Sequence, residues 1–216
     1  MKSKFLIPTC LVFIFLAGVN THTLAQDKQK QQELDRKVLQ FLEDNRATWR
    51  SLNVPYEDGK VLHDIILKNN YQSALEIGTS TGHSTVWIAW ALSKTGGRLV
   101  TVEIDEERQK VAMENLEKVG LSGVVDFRLG DAHEIVKELK GPFDFVFSDA
   151  DKDWYVQYFM DVDPKLEKGG CFTAHNVLQN QSGIAEYLDY INNISTYTTM
   201  VDRSSRSGIS ISYKND

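Results

Sequence analysis

The sequence predicts an α/β fold: a doubly wound, mostly parallel seven-stranded sheet with a C-terminal antiparallel hairpin. Three observations carry this. From residue 74 onward, strand-like apolar runs alternate with helix-length segments five times. The first unit is an apolar run at 74–77, broken by Gly78-Thr79-Ser80-Thr81-Gly82 and resumed at 84–92. That is the strand, glycine turn and helix with which open parallel sheets hold nucleotides. The last two strand-like runs, 197–201 and 209–213, are separated only by residues 202–208, which suits a hairpin rather than a crossover.

Taken in order, the chain opens with two lysines in residues 1–4, an almost wholly apolar run at 5–19, and Thr23-Leu24-Ala25 before Gln26. This is the layout of an export signal cleaved after Ala25, which would make the protein periplasmic or secreted. The apolar run has 15 residues, short of the ~20 that span a bilayer; an uncleaved membrane anchor is the alternative. Residues 27–50 carry Leu34, Val38, Phe41 and Leu42 at helical spacing and read as an amphipathic helix. Pro55 ends that region, and residues 56–59 form a polar lead-in to a second helix over 61–67. Beyond the first unit, strands are expected at 98–104, 124–129, 143–147 and 170–174. They alternate with helices at 106–119, 132–139, 154–162 and 183–192. Residues 26–216 thus form a single domain, without repeats or internal linkers.

Composition narrows the function. The chain is 42% hydrophobic and 25% charged, ordinary for one domain with a full core. Losing the signal removes Lys2 and Lys4 and no acid, taking the formal net charge from −6 to −8. An acidic chain without a basic cluster is no nucleic-acid binder. Cys171 is the one cysteine left after cleavage, which excludes an internal disulfide. Its apolar surroundings read as those of a small buried hydrophobe.

Open α/β sheets bind ligands at the carboxyl edge of their strands. Every predicted strand end there offers a polar side chain: Glu76 and Gly78, then Glu103, then Asp131, then Asp149, Asp151 and Lys152, then His175 and Asn176. Gly78 and Gly82 let backbone approach a ligand closely. Glu76 interrupts an apolar run, so it is expected to face a ligand or water. Glu103 lies 25 residues after Gly78, where a carboxylate can accept both hydroxyls of a ribose. A nicotinamide dinucleotide would need Gly-x-Gly-x-x-Gly, but Ser80 stands at the second glycine position; an adenosyl ligand without phosphates has no such need. The loop also matches the Gly-x-Ser-x-Gly of a nucleophile elbow, a reading that leaves Glu76 and Glu103 unexplained. At the adjacent strand ends, Asp149, His175 and Asn176 could converge on a divalent cation such as Mg²⁺ or Mn²⁺. Lys152 beside it could serve as a general base.

The segments ALEIGTSTGHST, TVEIDEER, RLGDA, FDFVFSDADKDWY and GGCFTAHNVLQN occur in order. With them the chain resembles class I S-adenosylmethionine-dependent O-methyltransferases, above all the caffeoyl-CoA and catechol O-methyltransferase group, over residues 54–213. The resemblance implies a Rossmann-like fold and methyl transfer to the hydroxyl of a small molecule, phenolic or catechol-like. It puts Val54, Glu76, Gly78, Thr79, Ser84, Glu103, Asp131, Ala132, Asp149 and Asp151 around S-adenosylmethionine. It puts Asp149 and Asn176 on metal-ligand positions, Lys152 on that of the catalytic base, and Asn180 near the acceptor. Members of this group often dimerise, so a homodimer is among the implied partners. One departure stands out: the family's second metal ligand is an aspartate, and here it is His175. Losing that carboxylate weakens a site for Mg²⁺; alternatively the metal is gone and His175 acts as a base. Two other readings stay open, a cofactor-binding module without turnover and a nicotinamide-dependent oxidoreductase. Trp154 and Tyr155 either line the acceptor pocket or belong to the core.

Overall fold

Seven strands form one sheet in the computed structural model, which describes residues 11–49 and 52–215. Strands β1 (Ser73–Ile77), β2 (Arg98–Glu103), β3 (Val125–Leu129), β4 (Phe143–Ser148) and β5 (Leu166–His175) run parallel. The antiparallel pair β6 (Tyr197–Asp202) and β7 (Ile209–Lys214) closes the edge. The order is β3-β2-β1-β4-β5-β7-β6, as expected for a doubly wound sheet with a terminal hairpin. The winding reverses between β1 and β4, and their carboxyl ends flank the crevice in which such sheets bind ligands.

Alternation along the strands explains the two apolar layers. Leu75, Ile77, Val146 and Phe172 pack on one face with Phe159 of α6 (Tyr155–Val162) and Tyr187 of α7 (Ser182–Asn192). Ala74, Phe145 and Phe147 face the other way, towards Leu62 and Ile66 of α2 (Tyr56–Asn69) and Ile88 of α3 (His83–Thr95). Buried on both faces, the central strands read as continuous apolar runs. Cys171 lies fully buried in this core as a free thiol, as expected.

Two helices differ from the sequence expectation. The segment expected at 27–50 belongs to a longer helix, α1 (Leu11–Asn45), which runs across the expected cleavage point after Ala25. Leu34, Val38, Phe41 and Leu42 pack, as their spacing implies, with Trp87, Trp90, Leu116 and Val119. Met1–Cys10 of the expected export signal lie outside the described residues. Among the described residues no helix is long and apolar enough to cross a membrane.

Helix α2 starts at Tyr56, so the expected lead-in is its first turn. Pro55 sets the entry with its fixed φ, and Glu57 and Asp58 suit the positive end of the helix dipole. Gly59, which reads as a breaker, is needed for space: a Cβ there would stand 2.1 Å from Cδ1 of Trp87. This early start puts Asp58 on the buried face of α2. The remaining helices, α4 (Glu106–Val119) and α5 (Ala132–Glu138), follow β2 and β3 as expected.

Candidate active site

The loop from β1 to α3 is folded around Glu103. Gly78 and Gly82 have φ of 101° and 92°. At Gly78 a Cβ would lie 3.0 Å from the carbonyl carbon of Asp149 and 3.1 Å from the nitrogen of Ala150, so only glycine lets the β1 and β4 ends meet this closely. Ser80 is left-handed too, with φ of 49°, at a cost of roughly 1–2 kcal/mol. Its N–H donates to Oε2 of Glu103 at 2.7 Å, and the N–H of Asp105 donates to Oε1 at 3.0 Å. Two charge-assisted bonds offset the strain and aim the Glu103 carboxylate into the crevice, 5% exposed. The loop is therefore a clamp on an acid, and Ser80 is not presented as a nucleophile.

Glu76 corrects one expectation. It faces neither cavity nor solvent but lies fully buried on the α3 side of β1. Its Oε2 accepts from Oγ1 of Thr85 and of Thr101, each at 2.6 Å. Its Oε1 has no hydrogen-bond partner among the described residues. Burial pushes its pKa up to about 7, against the nearby hydroxyls of Ser84, Thr101 and Thr85. The register decides this: Leu75 and Ile77 point to one face, so Glu76 must point to the other.

A chain of alternating charges crosses the carboxyl ends of β4 and β5. Nζ of Lys152 donates to Oδ1 of Asp149 at 2.6 Å and to the carbonyls of Asp149 and Ala150 at 3.1 and 3.0 Å. Oδ2 of Asp149 faces Nδ1 of His175 at 3.1 Å. Nε2 of His175 faces Oδ2 of Asp58 at 2.8 Å, and Oδ2 also accepts from Oγ of Ser205 at 2.7 Å. Burial alone would lower the His175 pKa, but the charge of Asp149 and hydrogen bonds to Asp149 and Asp58 raise it to about 9. Burial opposes ionisation of Asp149, yet the His175 and Lys152 charges hold its pKa below the ordinary value.

This arrangement does not fit a divalent cation. Metal ligation needs a lone pair on the imidazole, and both ring nitrogens of His175 are directed at carboxylates. Asp149 is already shared by Lys152 and His175. Among the described residues, no group of three or more His, Cys, Asp or Glu side chains is placed to hold a metal ion. The same geometry leaves His175 no free nitrogen with which to act as a base.

One cavity of about 770 Å³ joins these parts. Of the residues singled out from the sequence, Val54, Gly78, Thr79, Ser84, Glu103, Asp131, Ala132, Asp149, Asp151, Lys152, His175 and Asn176 line it. Glu76 and Asn180 do not; the neighbouring Gln179 lines it in place of the exposed Asn180. Trp154 and Tyr155 are not in its wall, and Tyr155 is fully buried core.

Three further residues join the site without a strong signal in the sequence. Asp58 is one; its signal was an acid four residues before Leu62 on the apolar face of α2. His83 is the second: Nδ1 donates to the carbonyl of Val54 at 2.7 Å and Nε2 accepts from Nε1 of Trp87 at 3.2 Å. Burial lowers its pKa to about 4, so it pins the cavity rim as a neutral ring. His133 is the third, stacked on Trp154 at 4.2 Å and 3.4 Å from a carboxylate oxygen of Asp151. It lines the cavity beside Asp131.

Comparison with known proteins agrees with this fold. A catechol O-methyltransferase of Niastella koreensis is 37% identical over 134 residues, covering 60% of each chain. A caffeoyl-CoA O-methyltransferase of Pinus taeda is 32% identical over 173 residues, 77% of this chain and 64% of its own. The chain thus spans about 60% of the length of such curated relatives. An O-methyltransferase from Bacillus cereus, solved in complex with SAH, superposes with a TM-score of 0.73 at 27% identity, covering 83% of this chain and 91% of that one. The family described as O-methyltransferase matches residues 25–201, and the chain belongs to it.

Proposed function

We propose that the protein transfers a methyl group from S-adenosylmethionine to a hydroxyl on an aromatic small molecule, phenolic or catechol-like. The observation that carries this reading is one cavity lined by the glycine loop and Glu103 together with Asp149, Lys152 and Asn176. The names of the relatives from Niastella and Pinus support an aromatic hydroxyl as acceptor.

The residues present suit the cofactor. Glu103, held by two backbone N–H groups, keeps lone pairs for ribose hydroxyls. Leu52 and Ile104, each 66% exposed on the cavity rim, offer apolar edges to an adenine. Asp131, Ala132 and His133 would border it. Gly78 and Thr79 leave room for the amino-acid end, with Asp149 and Asp151 supplying negative charge nearby. When bound, S-adenosylmethionine supplies a methyl group on a positively charged sulfur, an electrophile that needs no further activation.

What the chain adds is position and charge. Fixing donor and acceptor in one cavity removes the entropy of their encounter. Lys152 has each of its three donors on an oxygen, a pattern that an amine one proton short could not complete. We therefore read it as a cation that stabilises the acceptor oxygen as its proton leaves for solvent, rather than as the base expected from the sequence.

Calorimetric titration with S-adenosylhomocysteine tests the reading. The wild type is expected to bind in the micromolar range, and Glu103→Gln to bind at least about tenfold more weakly through loss of charge-assisted bonds. No binding by the folded wild type would defeat the proposal.

A further inference from the structure

His175 occupies a position where a cation belongs. The resemblance places a divalent ion between the ends of β4 and β5, next to Asp149 and Asn176. In this chain an imidazole stands there, 2% exposed, with a carboxylate on each side. A neutral ring could donate to only one of them and would turn a lone pair towards the oxygen of the other. At 2.8 and 3.1 Å that repulsion, in a buried setting, is costly. With Asp58 and Asp149 both as carboxylates, only the doubly protonated ring satisfies both contacts.

The surroundings are built for that ion. Asp58 is fully buried on α2, a helix that contributes nothing else to the chain of charges. Ser205, in the β6–β7 loop, donates to the same Asp58 oxygen that faces His175. On the backbone side, the hydroxyl of Tyr155 donates to the carbonyl of His175 at 3.2 Å, and the ring of Phe147 lies 6.0 Å from the imidazole. The remaining charge is Lys152, bonded to the other oxygen of Asp149. Asp58, His175, Asp149 and Lys152 thus sum to zero. A divalent ion at Asp149 would have to displace the ring proton that holds Asp149 in place.

We propose that His175, held by Asp58 and Ser205, is the resident cation of this active site in place of a divalent metal, with Asp58 the positioning residue that keeps it there. This deepens the methyltransferase reading and rests on it for the site's purpose. The enzyme would need no metal at this position.

The test uses Mn²⁺ alone and the ring nitrogens of His175, so it needs neither cofactor nor acceptor. Its failure is therefore separable from that of the methyltransferase reading, which the S-adenosylhomocysteine titration decides. At neutral pH the wild type is expected to take up no Mn²⁺ at this site, with nitrogen NMR showing a proton on both ring nitrogens of His175. His175→Asp would unite three carboxylates beside Asn176 and is expected to bind Mn²⁺ at least roughly tenfold more tightly than wild type. Should that variant not fold, Asp58→Asn serves: a ring relieved of its second carboxylate is expected to lose one proton at neutral pH. Stoichiometric Mn²⁺ binding by the wild type would overturn the proposal. So would a singly protonated His175 in it.

Discussion

The position of one ammonium group separates two ways of assisting the acceptor. If Lys152 takes the acceptor's proton, its replacement by any group that cannot do so is equally damaging. If it supplies charge, a replacement that keeps the charge keeps part of the effect. Lys152→Met is expected to lower kcat with catechol and S-adenosylmethionine by about a hundredfold or more, the cost of removing a preorganised charge beside a developing oxyanion. Lys152→Arg, always charged and unable to act as a base near neutral pH, is expected to recover at least about tenfold of that loss. An arginine variant as poor as the methionine variant would return the base role to Lys152. The sequence located this residue because it sits in the turn after β4, where any side chain faces the crevice. It did not reveal the two carbonyl oxygens that Lys152 reaches by folding back on its own turn.

Helix α2 decides whether Asp58 reaches the site, and Gly59 decides where α2 lies. A methyl at Gly59 would enter the indole of Trp87, whose Nε1 is held by His83. Neither ring can move freely, since His83 also stacks on Trp49 with centroids 4.1 Å apart. Gly96, after α3, has φ of 77° and open space around its missing Cβ. Denaturant unfolding should separate the two. Gly59→Ala is expected to cost about 3 kcal/mol, the upper end of what an overpacked contact between fixed elements usually costs. Gly96→Ala is expected to cost only about 1 kcal/mol of backbone strain. Equal costs would mean that α2 is free to shift away from Trp87. The same glycine hid the helix start in the sequence. With Gly59 at its fourth position, residues 56–59 read as a polar approach, and so nothing in the local pattern marks Asp58 as a buried acid.

At the scale of the molecule, the sheet was legible because its signals are redundant: five apolar runs, each followed by a helix-length segment, admit few arrangements. What lay beyond the sequence is pairing across distance. Asp58 and His175 are 117 residues apart, and no local pattern joins them. These pairings also set how stability varies with pH. Glu76, raised from 4.5 to about 7, binds protons more tightly folded than unfolded, so its contribution is lost as pH rises through that interval. His83, lowered from 6.5 to about 4, behaves oppositely, its contribution being lost as pH falls from 6.5 to 4. Each is on the order of 3 kcal/mol, and between about pH 4.5 and 6.5 the two nearly cancel. His175, raised from 6.5 to about 9, contributes fully below pH 6.5 and loses that contribution as pH climbs through 9. The melting temperature is therefore expected to rise only gently with pH in mild acid, through His63, whose pKa burial also lowers, and to fall by roughly 5–10 °C between neutrality and pH 9, at about 2–4 °C per kcal/mol for a chain of this size. Glu76→Gln would leave His83 unopposed, so its melting temperature should climb more steeply from pH 4.5 to 6.5 than that of the wild type. His175→Asn would remove the alkaline fall. A wild type as stable at pH 9 as at neutrality would mean that His175 is not held as a cation between Asp58 and Asp149.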